Sequence, residues 1–347
     1  MDRQTDWQFL DDRGHLATTD RRPERVVTYI QAGATLWEHG IRPAGLFGSN
    51  HDGDGPDPVK AGSLPLDGTD YLGSGAALDA DALLRGDPDL VVAVTYGGGQ
   101  VYGLDPDTAK HVEERVPLVV LDVGQGQSLG DVRARFAALA RALGAAQDTA
   151  GAIALARATA RLRALAHDSA ARPALLALSP ASADSAYLAK PQSWPDLREL
   201  TAFGLDLVSP QGGPGTNWFT ADWPYVADLA ARVLLVDARV NAYSLDALGD
   251  NAAWREAASG ARVVAWNPEA PCSDGAHARF FDRVAEAVEA AGRSGEAGRP
   301  AGRTGVRSGS GTAAIDPPSP RPGDAARRAA RARGREQGTG RWRPHGT

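Results

Sequence analysis

Residues 74–122, SGAALDADALLRGDPDLVVAVTYGGGQVYGLDPDTAKHVEERVPLVVLD, switch twice between helical and strand chemistry. Asp79 or Asp81 offers a cap for a short helix holding Leu83 and Leu84. Gly86 and Pro88 stop it, because Gly adopts the left-handed C-cap and Pro cannot continue a helix. Leu90 to Val94 is then apolar without alternation, the pattern of a strand covered on both faces. Asp105-Pro106-Asp107, a cap with proline in the first turn, opens a second helix, and Val119-Val120-Leu121 after Pro117 reads as a second covered strand. Two covered strands separated by a helix make a βαβ unit. The loops of such a parallel sheet gather at the edge where open α/β sheets bind ligands.

Working outward, 347 residues at 43% hydrophobic content leave room for two lobes, each with its own core. A lone cysteine, Cys272, excludes an internal disulfide framework. No apolar run approaches the roughly 20 residues of a membrane span. The first residues, MDRQTDWQFLDDRGHLATTD, lack the basic-then-apolar order of an export signal, so the expected location is cytoplasmic, or extracellular and membrane-associated if a lipoprotein signal lies upstream. Composition changes near residue 291: Ala291 to Thr347 holds 12 Arg against 4 acidic residues, which leaves the first 290 residues about 14 charges negative out of the net −6. A Gly-, Pro- and Ser-rich segment with so few large apolar side chains is expected to be disordered. Without interleaved aromatics it is read as a solvated appendage, and no nucleic-acid partner is expected.

The remaining pattern divides into a first lobe (1–144), a linking helix (145–169), a second lobe (170–290) and the basic tail (291–347). Trp7 to Thr18 reads as a ribbon turned at Asp12-Arg13-Gly14, and Arg25 to Ile30 as the first core strand. Thr149 to Ala166 is an Ala-rich helix long enough to act as a strut. After it, strand and helix patterns alternate again: Ala174–Leu178, a helix near Leu197–Phe203, Val233–Val236, a helix holding Trp254, Arg262–Trp266, and a closing helix from His277 to Ala290.

Several of these segments, in order, resemble class III substrate-binding proteins of ABC importers, the iron-siderophore and cobalamin group. Trp7 to Gly14 followed by Pro23-Glu24-Arg25-Val26-Val27 is similar to the family's opening, and Leu78 to Val94 to the helix and strand that follow. Val116-Pro117-Leu118-Val119-Val120-Leu121 is similar to the next strand. Asn251-Ala252-Ala253-Trp254 leading to Gly260-Ala261-Arg262-Val263-Val264 is similar to a late part of the second lobe. The resemblance, over about residues 7–290, implies two Rossmann-like α/β lobes with parallel sheets, one rigid connecting helix, a shallow cleft and little hinge motion. It also implies a monomeric, non-enzymatic binder of a ferric siderophore, haem or cobalamin, with an ABC permease as partner.

The cleft is expected where strand-end loops of the two lobes meet. Those loops offer Tyr29, Tyr96, Trp194, Trp218, Trp223 and Trp266 as aromatic walls, with Gln31, Asn50, Gly97, Lys190 and Asn217 beside them. Broad aromatic walls suit a large, partly apolar ligand. The resemblance implies arginines to meet an anionic siderophore, whereas these loops contain almost no Arg and only Lys190 and Arg198 as nearby cations, which argues against a strongly anionic chelate. His51, in Asn50-His51-Asp52-Gly53-Asp54-Gly55, is read as part of a solvated turn, since Pro56 breaks the calcium-loop pattern. Glu38 and Asp222 stand nearest to the family's two permease-docking carboxylates. Gly97-Gly98-Gly99 does not form a dinucleotide or phosphate fingerprint, and no hydrolase elbow or zinc spacing occurs. The alternatives carried forward are a cytoplasmic sensing protein of the same fold and, further off, a metabolic α/β enzyme.

Overall fold

The computed structural model describes residues 7–75, 78–167, 172–213 and 215–297. The first lobe opens on an antiparallel ribbon, β1 (Trp7–Leu10) and β2 (Leu16–Thr19). Its turn is held as the sequence implies: the Asp11 carboxylate accepts from the Arg13 and His15 amides, and Gly14 takes φ 82°. The Trp7 indole donates to the Ala142 carbonyl at 2.9 Å, fastening the ribbon to the lobe.

β3 (Val26–Tyr29), α1 (Ile30–Glu38), β4 (Gly45–Phe47), α2 (Pro58–Ala61), β5 (Asp70–Tyr71), α3 (Ala80–Leu84), β6 (Leu90–Thr95), α4 (Pro106–Glu113), β7 (Leu118–Asp122) and α5 (Leu129–Ala142) follow. The strands form one sheet of order β5-β4-β3-β6-β7, all parallel. β6 is buried along its whole length, as the unbroken apolar run requires. Asp79, not Asp81, caps α3 through the Ala82 amide, and Asp105 caps α4. Chain order reverses between β3 and β6, so the crevice lies beyond the carboxyl ends of these two strands, at Tyr29–Gln31 and Thr95–Gly97. Gly97, Gly98 and Gly99 all adopt positive φ, and Thr95 Oγ1 bonds the Gly97 backbone; the glycine run is a tight turn that side chains would strain.

α6 (Thr149–His167) leads toward the second lobe, made of β8 (Leu175–Pro180), β9 (Ser185–Ala189), α7 (Pro195–Ala202), β10 (Trp218–Asp222), α8 (Trp223–Asp228), β11 (Val233–Asp237), α9 (Leu245–Leu248), α10 (Ala252–Ala257), β12 (Arg262–Trp266) and α11 (Asp274–Ala297). Its sheet order is β10-β9-β8-β11-β12. Here the expectation of a wholly parallel sheet is corrected: β9 runs antiparallel to both β8 and β10. The residues between Pro180 and Ser185 are too few for a crossover, so the chain can only turn back as a hairpin. Thr216–Trp223, expected as a loop, is mostly this edge strand β10.

The connecting helix is stiffened by packing. Ala158, Leu162 and Ala166 are buried in the second lobe's core, and Arg161 pairs with Glu289 and Asp282 of α11. α11 itself runs past the expected boundary at residue 290 to Ala297. The rest of the basic tail lies outside the described residues. Among the described residues, no helix is long and apolar enough to cross a membrane.

Candidate functional site

A cavity of about 370 Å³ lies between the lobes, at the crevice that the sheet order defines. Tyr96 and Tyr102 wall it from the first lobe, their rings edge to face at 4.8 Å. Trp194 and Trp218 wall it from the second, 4.9 Å apart and backed by Trp266, which stands 5.4 Å from Trp194 and 6.0 Å from Trp218. Such a box offers broad π-faces. Gln31 adds a polar edge: its Nε2 donates to the Ala270 carbonyl at 3.1 Å, leaving its buried Oε1 without a hydrogen-bond partner among the described residues.

Two polar latches bound the cavity. On one side the segment after β12 enters the first lobe. Lys60, fully buried, pairs with Asp52 at 2.6 Å and with Glu269 at 2.8 Å. Glu269 also accepts a hydrogen bond from the Tyr29 hydroxyl and pairs with Arg239 at 2.6 Å, and Arg239 in turn is held by Asp237 at 2.8 Å. Asp57 accepts from the Val240 amide at 3.0 Å, and Asn267 donates to the Val59 carbonyl at 2.8 Å. Cys272 packs in the first lobe's core, its amide donating to Thr35 Oγ1 at 2.8 Å. On the other side Arg198 donates to the Gln125 and Gln127 backbone carbonyls, and Gln125 Nε2 donates to Asn217 Oδ1. Arg133 adds pairs to Glu199 and Asp274.

Ionisation follows from burial and these partners. Burial alone would raise Glu269, but Lys60 and Arg239 hold its carboxyl below the usual range. Burial raises Tyr29 well above an ordinary phenol and Tyr102 to about 12, each with Glu269 nearby as the second cause. Asp196 is pushed up to about 6 by burial, against the pull of the Trp266 indole and the Leu197 amide. At the cavity floor burial lifts the Cys272 thiol to about 12 and lowers His277 to about 3, so one is a thiol and the other a neutral imidazole at neutral pH. Neither is an activated nucleophile or base. Among the described residues no three His, Cys, Asp or Glu are grouped to hold a metal ion.

Of the residues expected in the cleft, Gln31, Tyr96, Trp194, Asn217 and Trp218 line this cavity. Asn50 and Gly97 line an adjoining hollow on the first lobe, which shares Tyr96 and Tyr102 with it. Tyr29 and Trp266 lie one layer behind the walls, both buried, bonded to Glu269 and Asp196. Trp223 is a correction: it sits on the opposite face of its sheet against Trp254 at 5.1 Å and donates to the Ala183 carbonyl. It starts α8 and serves the core there. Lys190 also turns away, its ammonium held by the Gly215 carbonyl at 2.6 Å. Asp52 of the turn containing His51 serves the latch, while His51 itself lines the cavity. Glu38 is covered by Arg279 and Ser63, whereas Asp222 is exposed as the cap of α8.

Sequence reasoning missed Tyr102, Asp196, Arg239 and Glu269. Asp237-Ala238-Arg239, just after a covered strand, was the available signal for Arg239.

Neither a protein-family model nor a curated protein sequence matches the chain. Solved structures do. DesE, a ferric-siderophore receptor protein from Streptomyces coelicolor, is 26% identical with TM-score 0.72, over 82% of this chain and 98% of that one. The chain has the fold of class III substrate-binding proteins. FhuD of Vibrio cholerae, a siderophore binding protein solved with Fe3+-Desferal, is similar at TM-score 0.54 and 17% identity, covering 78% of this chain and 99% of that one. The catecholate-siderophore binding protein VctP of Vibrio cholerae is similar at TM-score 0.54 and 14% identity, over 83% and 100%. These neighbours are binding proteins.

Proposed function

We propose that this chain is the substrate-binding protein of an ABC importer and captures a ferric siderophore or similar metal chelate between its lobes. The observation that carries the reading is a preformed cavity walled by Tyr96, Tyr102, Trp194 and Trp218 and bounded by two polar latches. Large chelates present ring and methylene surface, which such walls bury with little reorganisation. The resemblance to DesE supports the ligand class, and the resemblance to VctP, a periplasmic protein, supports a place outside the cytoplasm. Delivery would use a permease, with the exposed Asp222 as the carboxylate free to meet an arginine.

Titration of intrinsic tryptophan fluorescence with ferric trihydroxamates, ferric catecholates, haem and cobalamin tests the reading. Saturable quenching by at least one is expected, because Trp194 and Trp218 wall the cavity. In the same titration Tyr96→Ala should weaken binding by about tenfold or more. An absence of quenching by all four would sink the proposal.

A further inference from the structure

Asp196 is a cavity-lining carboxylate without a cation. It follows Pro195 in the first turn of α7, where its Oδ1 accepts from the Leu197 amide at 2.9 Å, and its Oδ2 accepts from the Trp266 indole at 2.6 Å. Among the described residues no lysine or arginine pairs with it. The cations around it are all engaged elsewhere. Arg133 is held by Glu199 and Asp274, Arg198 by backbone carbonyls across the cleft, and Arg239 by Asp237 and Glu269. Of the charged residues that line the cavity, Arg239 stands against Glu269 and Asp196, an excess of one negative charge.

Resting on the reading above, we infer that Asp196 makes this cleft selective for neutral or cationic ferric chelates, such as trihydroxamates, over polyanionic ones, such as tris-catecholates. A polyanion entering the cavity meets a carboxylate that has no ion-pair partner among the described residues, in surroundings drier than bulk water. An ammonium or amide N–H of the ligand finds the same oxygens pre-oriented, with the buried Gln31 Oε1 as a second acceptor. Rejection through a repulsive group and attraction through the same group give one residue both halves of specificity.

The test compares wild type with Asp196→Asn, which keeps an acceptor for the Trp266 indole. Three probes are titrated by tryptophan fluorescence: cationic ferrioxamine B, neutral ferrichrome and trianionic ferric enterobactin. Wild type should bind the first two at least about tenfold more tightly than the third, and Asp196→Asn should shrink that ratio by about tenfold. Asp196→Glu, which keeps the charge, should retain the preference.

A pH series supplies a readout that packing alone would not move. Because Asp196 ionises near 6, preference for the cationic probe should grow as pH rises through that value in wild type. The same growth should be absent from Asp196→Asn. Glu199 on α7, Arg133, Arg239 and Glu269 around the cavity, and His51, Cys272 and His277 in its lining are common to both proteins, so the difference between profiles belongs to Asp196. Tighter binding of enterobactin by wild type, or an unchanged ratio in Asp196→Asn, overturns the inference while leaving chelate capture standing. Quenching by none of the three probes overturns chelate capture itself and the selectivity with it.

Discussion

Lys60→Met is expected to lower the unfolding temperature by on the order of 10 °C, from a loss of about 3–5 kcal/mol. The side chain is fully buried, and its ammonium sits between Asp52 at 2.6 Å and Glu269 at 2.8 Å. Methionine fills nearly the same volume, so the loss comes from two carboxylates left in a dry site. Arg239 still reaches Glu269 but not Asp52. The pH dependence has a definite sign. In wild type the Glu269 carboxyl is held below its ordinary value of 4.5, so its stabilisation is present above that value and is lost as pH falls through the folded-state pKa. Without Lys60 the main attraction that holds the Glu269 carboxylate ionised is gone, and because that carboxylate is protonated in acid in either protein, the gap between variant and wild type should narrow there. Calorimetry of both proteins from neutral to acid pH measures this. A melting temperature within about 2 °C of wild type at neutral pH would show that the network is not a latch.

The latch also explains what could and could not be read from the chain. Leu90–Val94 and Val119–Leu121 were legible because a strand covered on both faces must be apolar throughout, and the caps Asp79 and Asp105 are local chemistry. β9 and β10 were not legible: Ser185–Ala189 and Trp218–Asp222 mix small, polar and aromatic residues, and only pairing across the hairpin makes them strands. The aromatic residues Tyr96, Trp194 and Trp218 were found because loops at strand ends collect at one edge. Lys60, Asp52, Glu269 and Arg239 were missed as a group, since their partners lie up to about two hundred residues apart in the chain and no local spacing records such a meeting. The same limit hid Asp196, whose surroundings are set by Trp266 from a different strand.

Trp194→Ala and Trp218→Ala should separate the support of the cleft from its surface. Trp194 is 8% exposed and belongs to the second lobe's core while also lining the cavity. Its ring touches both Trp218 and Trp266, and its Nε1 donates to the Asn217 carbonyl at 3.4 Å. Removing it deletes a buried ring and the packing of two others, a loss of about 3–5 kcal/mol in stability. Trp266 would then be free to shift, and with it the indole that orients Asp196. Trp218 is only partly covered by that core and turns a face to the cavity, so its truncation should leave the melting temperature within a few degrees of wild type. For the ligand, Trp218→Ala should cost about 10- to 100-fold in affinity, the range of an aromatic anchor. Trp194→Ala should cost at least as much and also unfold earlier. Thermal melts paired with titration of a ferric trihydroxamate measure both quantities on each variant. The separation of frame from surface fails if Trp218→Ala destabilises the fold as much as Trp194→Ala, because the partly covered Trp218 ring would then be part of the frame.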